Sequence, residues 1–279
     1  MTIAEALRWG KERLSLHSTT PRLDAEVMLT HLLSIDRAAL LARFEQSLNL
    51  STEDSYRLLV ARREQGEPIA YITGHKEFYG LDLIITKDVL VPRPETESVV
   101  DICLAALPKD NLARFADIGI GSGAILVSVT VNRPNIRAYG TEISAAACAV
   151  AQQNCERHGI SKSVQLFVGN LLDPIPEPLD VIAANLPYVS PGEAEPDVAT
   201  WEPQIAVFGG DEDGAATIRQ FLDQAPRYIL PGGTIVMEVA YSQGKSVSAL
   251  AQVAFPTANI EVRKDLAGYD RIIIIKTQS

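Results

Sequence analysis

From about residue 95 to its end the chain alternates between two periodicities, and this restricts the available folds more than any other feature. Helix 95–107 precedes strand 113–118, and helix 122–132, strand 136–141, helix 144–158 and strands 163–168 and 179–184 follow. After a long loop come helix 214–229, strand 233–239, helix 242–253 and two last strands near 259–264 and 271–276. Strands separated by helices pair in parallel, and the helices cover both faces of the sheet. Val181-Ile182-Ala183-Ala184 and Ile272 to Ile275 are apolar without alternation, as strands buried on both faces should be. The expectation is an α/β fold with a mostly parallel sheet.

The first 66 residues read as helical throughout. Thr2-x-x-Glu5 is a capping box, and Thr20-Pro21 offers an N-cap with proline at the first helical position. Leu23, Val27, Leu32 and Ile35 fall near helical spacing. Ser51-Thr52-Glu53-Asp54 opens another helix, with Leu58 and Leu59 facing inward and Arg62, Arg63 and Glu64 solvated, stopped by Gly66 and Pro68. The expected organisation is a helical domain over 1–67, a β-hairpin linker over 68–94 and the α/β domain over 95–279. The hairpin runs His75 to Tyr79, Gly80, then Leu81 to Thr86. In Val91-Pro92-Arg93-Pro94-Glu95-Thr96-Glu97 two prolines fix the backbone.

With 47% apolar residues the chain can bury a sizeable core. No apolar run approaches the roughly 18 residues that span a bilayer, and the start lacks the pattern of a signal peptide. Cys103, Cys148 and Cys155 are odd in number and contain no C-x-x-C, which argues against a disulfide framework or a zinc site. The four histidines (His17, His31, His75 and His158) form no ligand pattern. A reduced cytoplasm, no membrane and no bound metal are expected, with Cys148 and Cys155 packed on helix 144–158. The net charge of −10 argues against binding a phosphate backbone, so no direct nucleic acid contact is expected.

Asp117-Ile118-Gly119-Ile120-Gly121-Ser122-Gly123 ends the first strand of the sheet, where ligands of such folds bind. Glycines there let the backbone turn tightly and approach a ligand with no Cβ in the way. Glu142 ends the next strand and can accept hydrogen bonds from the ribose hydroxyls of an adenosine. Gly119, Gly121 and Ala124 also satisfy the dinucleotide fingerprint G-x-G-x-x-A, so a nicotinamide oxidoreductase stays open at this point. Asp-x-Gly-x-Gly-x-Gly leans toward S-adenosylmethionine, which carries no pyrophosphate.

Asn185-Leu186-Pro187-Tyr188 follows the buried strand 179–184 at the same sheet edge. An amide or exocyclic amino nitrogen is a poor nucleophile because its lone pair is delocalised. Two acceptors aimed at its N–H groups favour the geometry and charge that develop as it attacks a methyl group. The Asn185 side-chain oxygen and the Leu186 carbonyl can be those acceptors. Pro187 keeps Leu186 extended and so aims that carbonyl, which leaves the Leu186 side chain as the part the chemistry can most easily spare. Tyr188 offers a flat ring for stacking. A methyl sulfonium is already electrophilic, so in-line placement supplies much of the rate. The alternative is a plain strand-terminating turn.

Together Asp117 to Gly123, Glu142 and Asn185 to Tyr188 resemble the class I S-adenosylmethionine-dependent methyltransferases that act on amino or amide nitrogen. Further segments narrow the resemblance to the release factor glutamine methyltransferases over nearly the whole chain. These are Pro92-Arg93-Pro94-Glu95-Thr96-Glu97, Trp201-Glu202-Pro203, Gly209-Gly210-Asp211-Glu212-Asp213-Gly214 and Lys264-Asp265-Leu266-Ala267-Gly268-Tyr269-Asp270-Arg271, with the helical N-terminus. The resemblance implies a Rossmann-like class I methyltransferase fold with a mostly parallel seven-stranded sheet. It implies methyl transfer from S-adenosyl-L-methionine to the N5 nitrogen of the glutamine in the Gly-Gly-Gln motif of class 1 peptide chain release factors, by a cytoplasmic monomer whose helical domain helps grip the substrate.

By position, the resemblance implies that Asp117, Gly119, Ile120, Gly121, Ser122 and Gly123 hold the methionine part of the cofactor. Glu142 would hold the ribose, Asn170 and Leu171 the adenine, and Asn185 the reacting centre. Asn185, Leu186, Pro187 and Tyr188 would hold the glutamine. The family usually has proline at 186 and Asp at 170, and this chain has Leu and Asn. Arg93, Glu95 and Glu97 order the cofactor loop or cap helix 95–107. Loop 189–213, with Trp201 and Glu202, has the length of a lid. Glutamine methylation of a ribosomal protein, adenine-N6 methylation of DNA and a non-catalytic binding domain are alternatives.

Overall fold

The computed structural model describes residues 1–279 except Asp110, Leu266 and Ser279. Leu266, within the last of the segments that carry the resemblance, therefore lies outside the described residues. The chain divides into two compact units, Met1–His75 and Lys76–Ser279.

The first unit is helical. The Thr2 capping box forms, with the Thr2 hydroxyl accepting from Glu5 N–H and the Glu5 carboxylate from Thr2 N–H, and it opens helix Ile3–Leu14. Thr20 precedes helix Pro21–Leu33 without capping it, because its hydroxyl donates to Asp24 instead. Asn49, two residues ahead of the expected start, caps helix Leu50–Glu64 by accepting from Thr52 N–H. The apolar faces differ from the expected ones. Leu58 is 67% exposed, and Leu23 is exposed too. The core is instead Ile3, Ala6, Leu14, Met28, Leu29, Leu40, Tyr56, Val60 and Ile72. Close approach explains the choice: a Cβ at Gly10 would stand 2.1 Å from the Tyr56 hydroxyl, so the first helix packs directly on that ring. Arg62 and Arg63 are not simply solvated. They pair with Glu67 and with buried Asp24 at 2.6 and 2.8 Å. Residues 68–74 belong to this unit, since Pro68 starts a short helix, Ile69–Thr73, with a buried face. The boundary therefore falls at His75/Lys76 and not at 67/68.

The hairpin is strand β1 (His75–Phe78) and strand β2 (Leu81–Ile84). Tyr79 and Gly80 at its tip have φ of 53° and 75°, the left-handed pair that a tight two-residue turn requires.

The second unit contains β3 (Ala113–Ile118), β4 (Ile136–Glu142), β5 (Val164–Val168), β6 (Leu179–Ala184), β7 (Ile229–Glu238), β8 (Asn259–Lys264) and β9 (Asp270–Lys276). They form one sheet in the order β5-β4-β3-β6-β7-β9-β8. The pairs from β5 through β7 are parallel, and β9 runs antiparallel to both β7 and β8. The dinucleotide-binding sheet has order 3-2-1-4-5-6; here an antiparallel strand is inserted before the last one. Residues 181–184 of β6 and 272–275 of β9 are buried, as their unbroken apolar runs require, and β3 is buried at all but Arg114. The order changes direction at β3, whose neighbours are β4 and β6, so a crevice opens at the carboxyl ends of these strands.

Loop 189–213 is more ordered than its length implies. Prolines 196 and 203 start the short helices Pro196–Trp201 and Gln204–Val207, and Val189 bridges to Phe208. Among the described residues no helix is long and apolar enough to cross a membrane.

Candidate active site

A cavity of about 300 Å³ occupies the crevice at the carboxyl ends of β3, β4 and β6. Its walls include Asp117, Gly119 to Ser122, Glu142, Asn170, Leu171, Asn185, Leu186 and Pro187. The three segments singled out in the sequence therefore meet in one place. Gly123 and Tyr188 stand behind the lining.

The glycine loop is built from backbone. Gly119 and Ile120 N–H donate to the Thr141 carbonyl, tying the loop to β4. Gly119, Gly121 and Gly123 have φ of 74°, 52° and 82°, a region open chiefly to glycine. Gly123 starts helix Ala124–Asn132, and a Cβ there would press on Ala151 at 3.3 Å. A Cβ on Gly119 would stand 3.1 Å from Leu186 Cδ2. The Leu186 side chain, which the chemistry can spare, is buried and seats the Asn-Leu-Pro-Tyr segment against the glycine loop, so it has a packing role.

Two carboxylates serve this loop differently. Glu142 accepts from Gly121 N–H and from Ser144 N–H, both at 3.0 Å. Each oxygen keeps lone-pair capacity for a further donor. Asp117 is buried beneath the loop; its Oδ2 accepts from Leu126 N–H at 3.0 Å while Oδ1 has no partner. Burial pushes its carboxyl up to about 7, helped by the negative Glu142 and opposed by the Leu126 bond. An unpaired buried carboxylate oxygen at a cavity wall suits a cationic or N–H donor.

The Asn-Leu-Pro-Tyr segment rests on groups that sequence reasoning passed over. Asn185 Nδ2 donates to Thr96 Oγ1 at 3.3 Å, and Thr96 donates to Glu238 Oε2 at 2.6 Å. The Tyr188 hydroxyl donates to Glu238 Oε1 at 3.1 Å. The Tyr188 ring is partly buried against the core and its hydroxyl carries that bond, so the ring is anchored in place. Burial and the Glu238 carboxylate push its phenol far up. Gln243 Nε2 donates to the Tyr188 and Asp213 carbonyls at 3.0 and 2.8 Å, clamping the segment to the Gly-Gly-Asp-Glu-Asp-Gly loop.

Glu202 is buried and accepts from Val91 N–H at 3.0 Å and from the Arg93 guanidinium. The Trp-Glu-Pro and Pro-Arg-Pro segments are thus one joint beside the cavity, which Pro92 and Arg93 line. Glu97 accepts from Tyr79 N–H and so holds the hairpin tip. Glu95 is exposed. Glu238 carried a signal open to reading: like Glu142, it is an acid ending an apolar run, Ile235-Val236-Met237-Glu238. Thr96 lies in the Pro-Arg-Pro-Glu-Thr-Glu segment that carries the resemblance, but nothing in the sequence gives it Glu238 as a partner, and nothing marks Gln243.

A mostly parallel sheet with an inserted antiparallel strand, a glycine loop after β3 and an Asn-Leu-Pro-Tyr segment after β6 define a Rossmann-like methyltransferase. Residues 5–74 match the family described as PrmC N-terminal domain, and residues 96–202 the methyltransferase small domain. The release factor glutamine methyltransferase of Coxiella burnetii is 38% identical over 277 residues, 99% of each chain. That of Moorella thermoacetica is 39% identical over 280 residues, 98% of each chain. A solved methyltransferase from Pyrococcus furiosus shares the fold, with a TM-score of 0.55 and 18% identity over 81% of this chain and 100% of that one. The chain belongs to the release factor glutamine methyltransferase family.

Proposed function

We propose that the protein transfers a methyl group from S-adenosyl-L-methionine to the side-chain N5 nitrogen of the glutamine in the Gly-Gly-Gln motif of class 1 peptide chain release factors. The observation that carries this reading is that Asn185, Leu186 and Pro187 line the cavity walled by the glycine loop, where Asn185 Oδ1 and the Leu186 carbonyl can serve as a pair of acceptors. A primary carboxamide has two N–H donors to offer such a pair.

The cavity suits the cofactor. The unpaired Asp117 Oδ1 can accept from its α-ammonium, Glu142 from its ribose hydroxyls, and Asn170 from its adenine amino group. Bound S-adenosylmethionine supplies an electrophilic methyl on sulfonium. Asn185 and the Leu186 carbonyl hold the amide nitrogen in line and stabilise the positive charge it gains. Pro187 limits Leu186 to extended backbone and so fixes the carbonyl.

The helical unit contributes to gripping the release factor, a reading supported by its match to the PrmC N-terminal domain. Three buried free thiols accord with a cytoplasmic setting. Labelled cofactor and a purified release factor test the proposal, with mass mapping of the product. Label on the Gly-Gly-Gln glutamine is expected, and label on another residue contradicts it.

A further inference from the structure

We infer that Thr96 and Glu238 are positioning residues whose hydrogen-bond relay fixes which way round the Asn185 carboxamide points, and thereby makes the site accept a carboxamide and reject a carboxylate. The inference rests on the acceptor role proposed above for Asn185.

It follows from counting protons along the relay. Glu238 ends β7 and is 2% exposed. As a carboxylate it accepts only. Its two oxygens take the hydroxyl protons of Thr96, at 2.6 Å, and of Tyr188, at 3.1 Å. Thr96 has a single proton, which this bond uses. Its oxygen can then only accept from Asn185, 3.3 Å away, so the nearer Asn185 atom must be the NH₂ group. The two ends of an amide are told apart by such networks. Asn185 Oδ1 is the end left for the ligand. Turning the amide over would set two oxygens against each other at Thr96 and present N–H donors to the ligand. A site with donors there suits a glutamate carboxylate; a site with acceptors suits a glutamine carboxamide.

The carboxylate form is the condition for this polarity. Burial, with the Glu95 charge, pushes the Glu238 carboxyl up, and the Thr96 and Tyr188 hydroxyls and the Arg271 charge offset only part of that rise, so the relay has this polarity in the pH range where Glu238 is ionised. Glu238, Thr96, Asn185 and Tyr188 come from β7, the Pro-Arg-Pro-Glu-Thr segment and the loop after β6. The relay therefore locks three parts of the fold to one amide orientation.

Three variants of the full chain test this: Thr96→Val, which keeps the shape and removes the relay; Thr96→Ser, which restores the hydroxyl; and Glu238→Gln. One readout is independent of substrate: the ¹⁵N–¹H signals of the Asn185 side-chain amide, assigned by their loss in Asn185→Ala. They should move in Thr96→Val and Glu238→Gln and return in Thr96→Ser. With a release factor as substrate, Thr96→Val should lower kcat about tenfold or more, the scale of one misaligned polar group in a site. The loss in kcat should exceed any change in the Kd for S-adenosylmethionine, because Thr96 lines the cavity but the contacts proposed for the cofactor are those of Asp117, Glu142 and Asn170. Thr96→Ser should recover most of kcat. Unmoved Asn185 signals in Thr96→Val, or equal losses for Val and Ser, would overturn the relay. A wild-type protein inactive on release factors would instead overturn the substrate reading and leave the spectroscopic result standing.

Discussion

At Asp117 the chemistry turns on one proton. Its carboxyl stands at about 7 in the folded chain against an ordinary 3.8. The folded state therefore holds a proton that the unfolded chain gives up. The resulting stability is complete below the unfolded value and is lost as pH rises through about 7. Melting of the ligand-free protein between pH 5 and 8 should show this as a fall in Tm that Asp117→Asn flattens; an unchanged slope in the variant contradicts the assignment. If the cofactor's ammonium sits at Oδ1 as proposed, it favours the charged carboxylate, and S-adenosylmethionine should bind more tightly as pH rises toward that value. The gain is at most about tenfold per pH unit, as one proton allows. At Asn185 the expectation is different. Asn185→Ala should keep the cofactor Kd within a few-fold and lower kcat by about 10²- to 10³-fold, the scale of one lost transition-state contact. Equal loss of binding and turnover would contradict its place at the reacting amide.

At the scale of elements, Glu202 is the pin between the segment before helix Glu97–Ala106 and the loop after β6. Glu202→Ala leaves Val91 N–H and Arg93 without their acceptor. An unpaired buried N–H costs about 1–3 kcal/mol, so Tm should fall by several degrees and cofactor affinity with it, because Pro92 and Arg93 line the cavity. Calorimetry showing full stability and full affinity would remove Glu202 from this role. Two central strands were legible: residues 181–184 of β6 and 272–275 of β9 are buried and announce themselves as apolar runs. The helical faces of the first unit were not. There the core selects Ala6, Met28 and Tyr56 through close helix approach at Gly10, while Leu58 is left outside. The relay was also beyond reach, since Thr96 and Glu238 lie 142 residues apart and only the sheet order makes them neighbours.

For the molecule as a whole, the alternation of strands and helices predicted the sheet, and the three site segments met where a doubly wound topology opens its crevice. The Asp-x-Gly-x-Gly-x-Gly loop alone left two cofactors open. The remaining segments decided, because a family assignment draws on their order along the entire chain, matched over 99% of its length by the Coxiella burnetii enzyme. The charge of −10 belongs to this scale as well, and works against attraction to a phosphate backbone. The most direct test is methylation of a purified class 1 release factor by the full chain with methyl-labelled S-adenosylmethionine, read by mass mapping and repeated on a Gln→Glu form of the Gly-Gly-Gln motif. The account predicts one methyl on the glutamine side chain and none on the glutamate form. A methyl on any other residue, or equal labelling of the two forms, would contradict it.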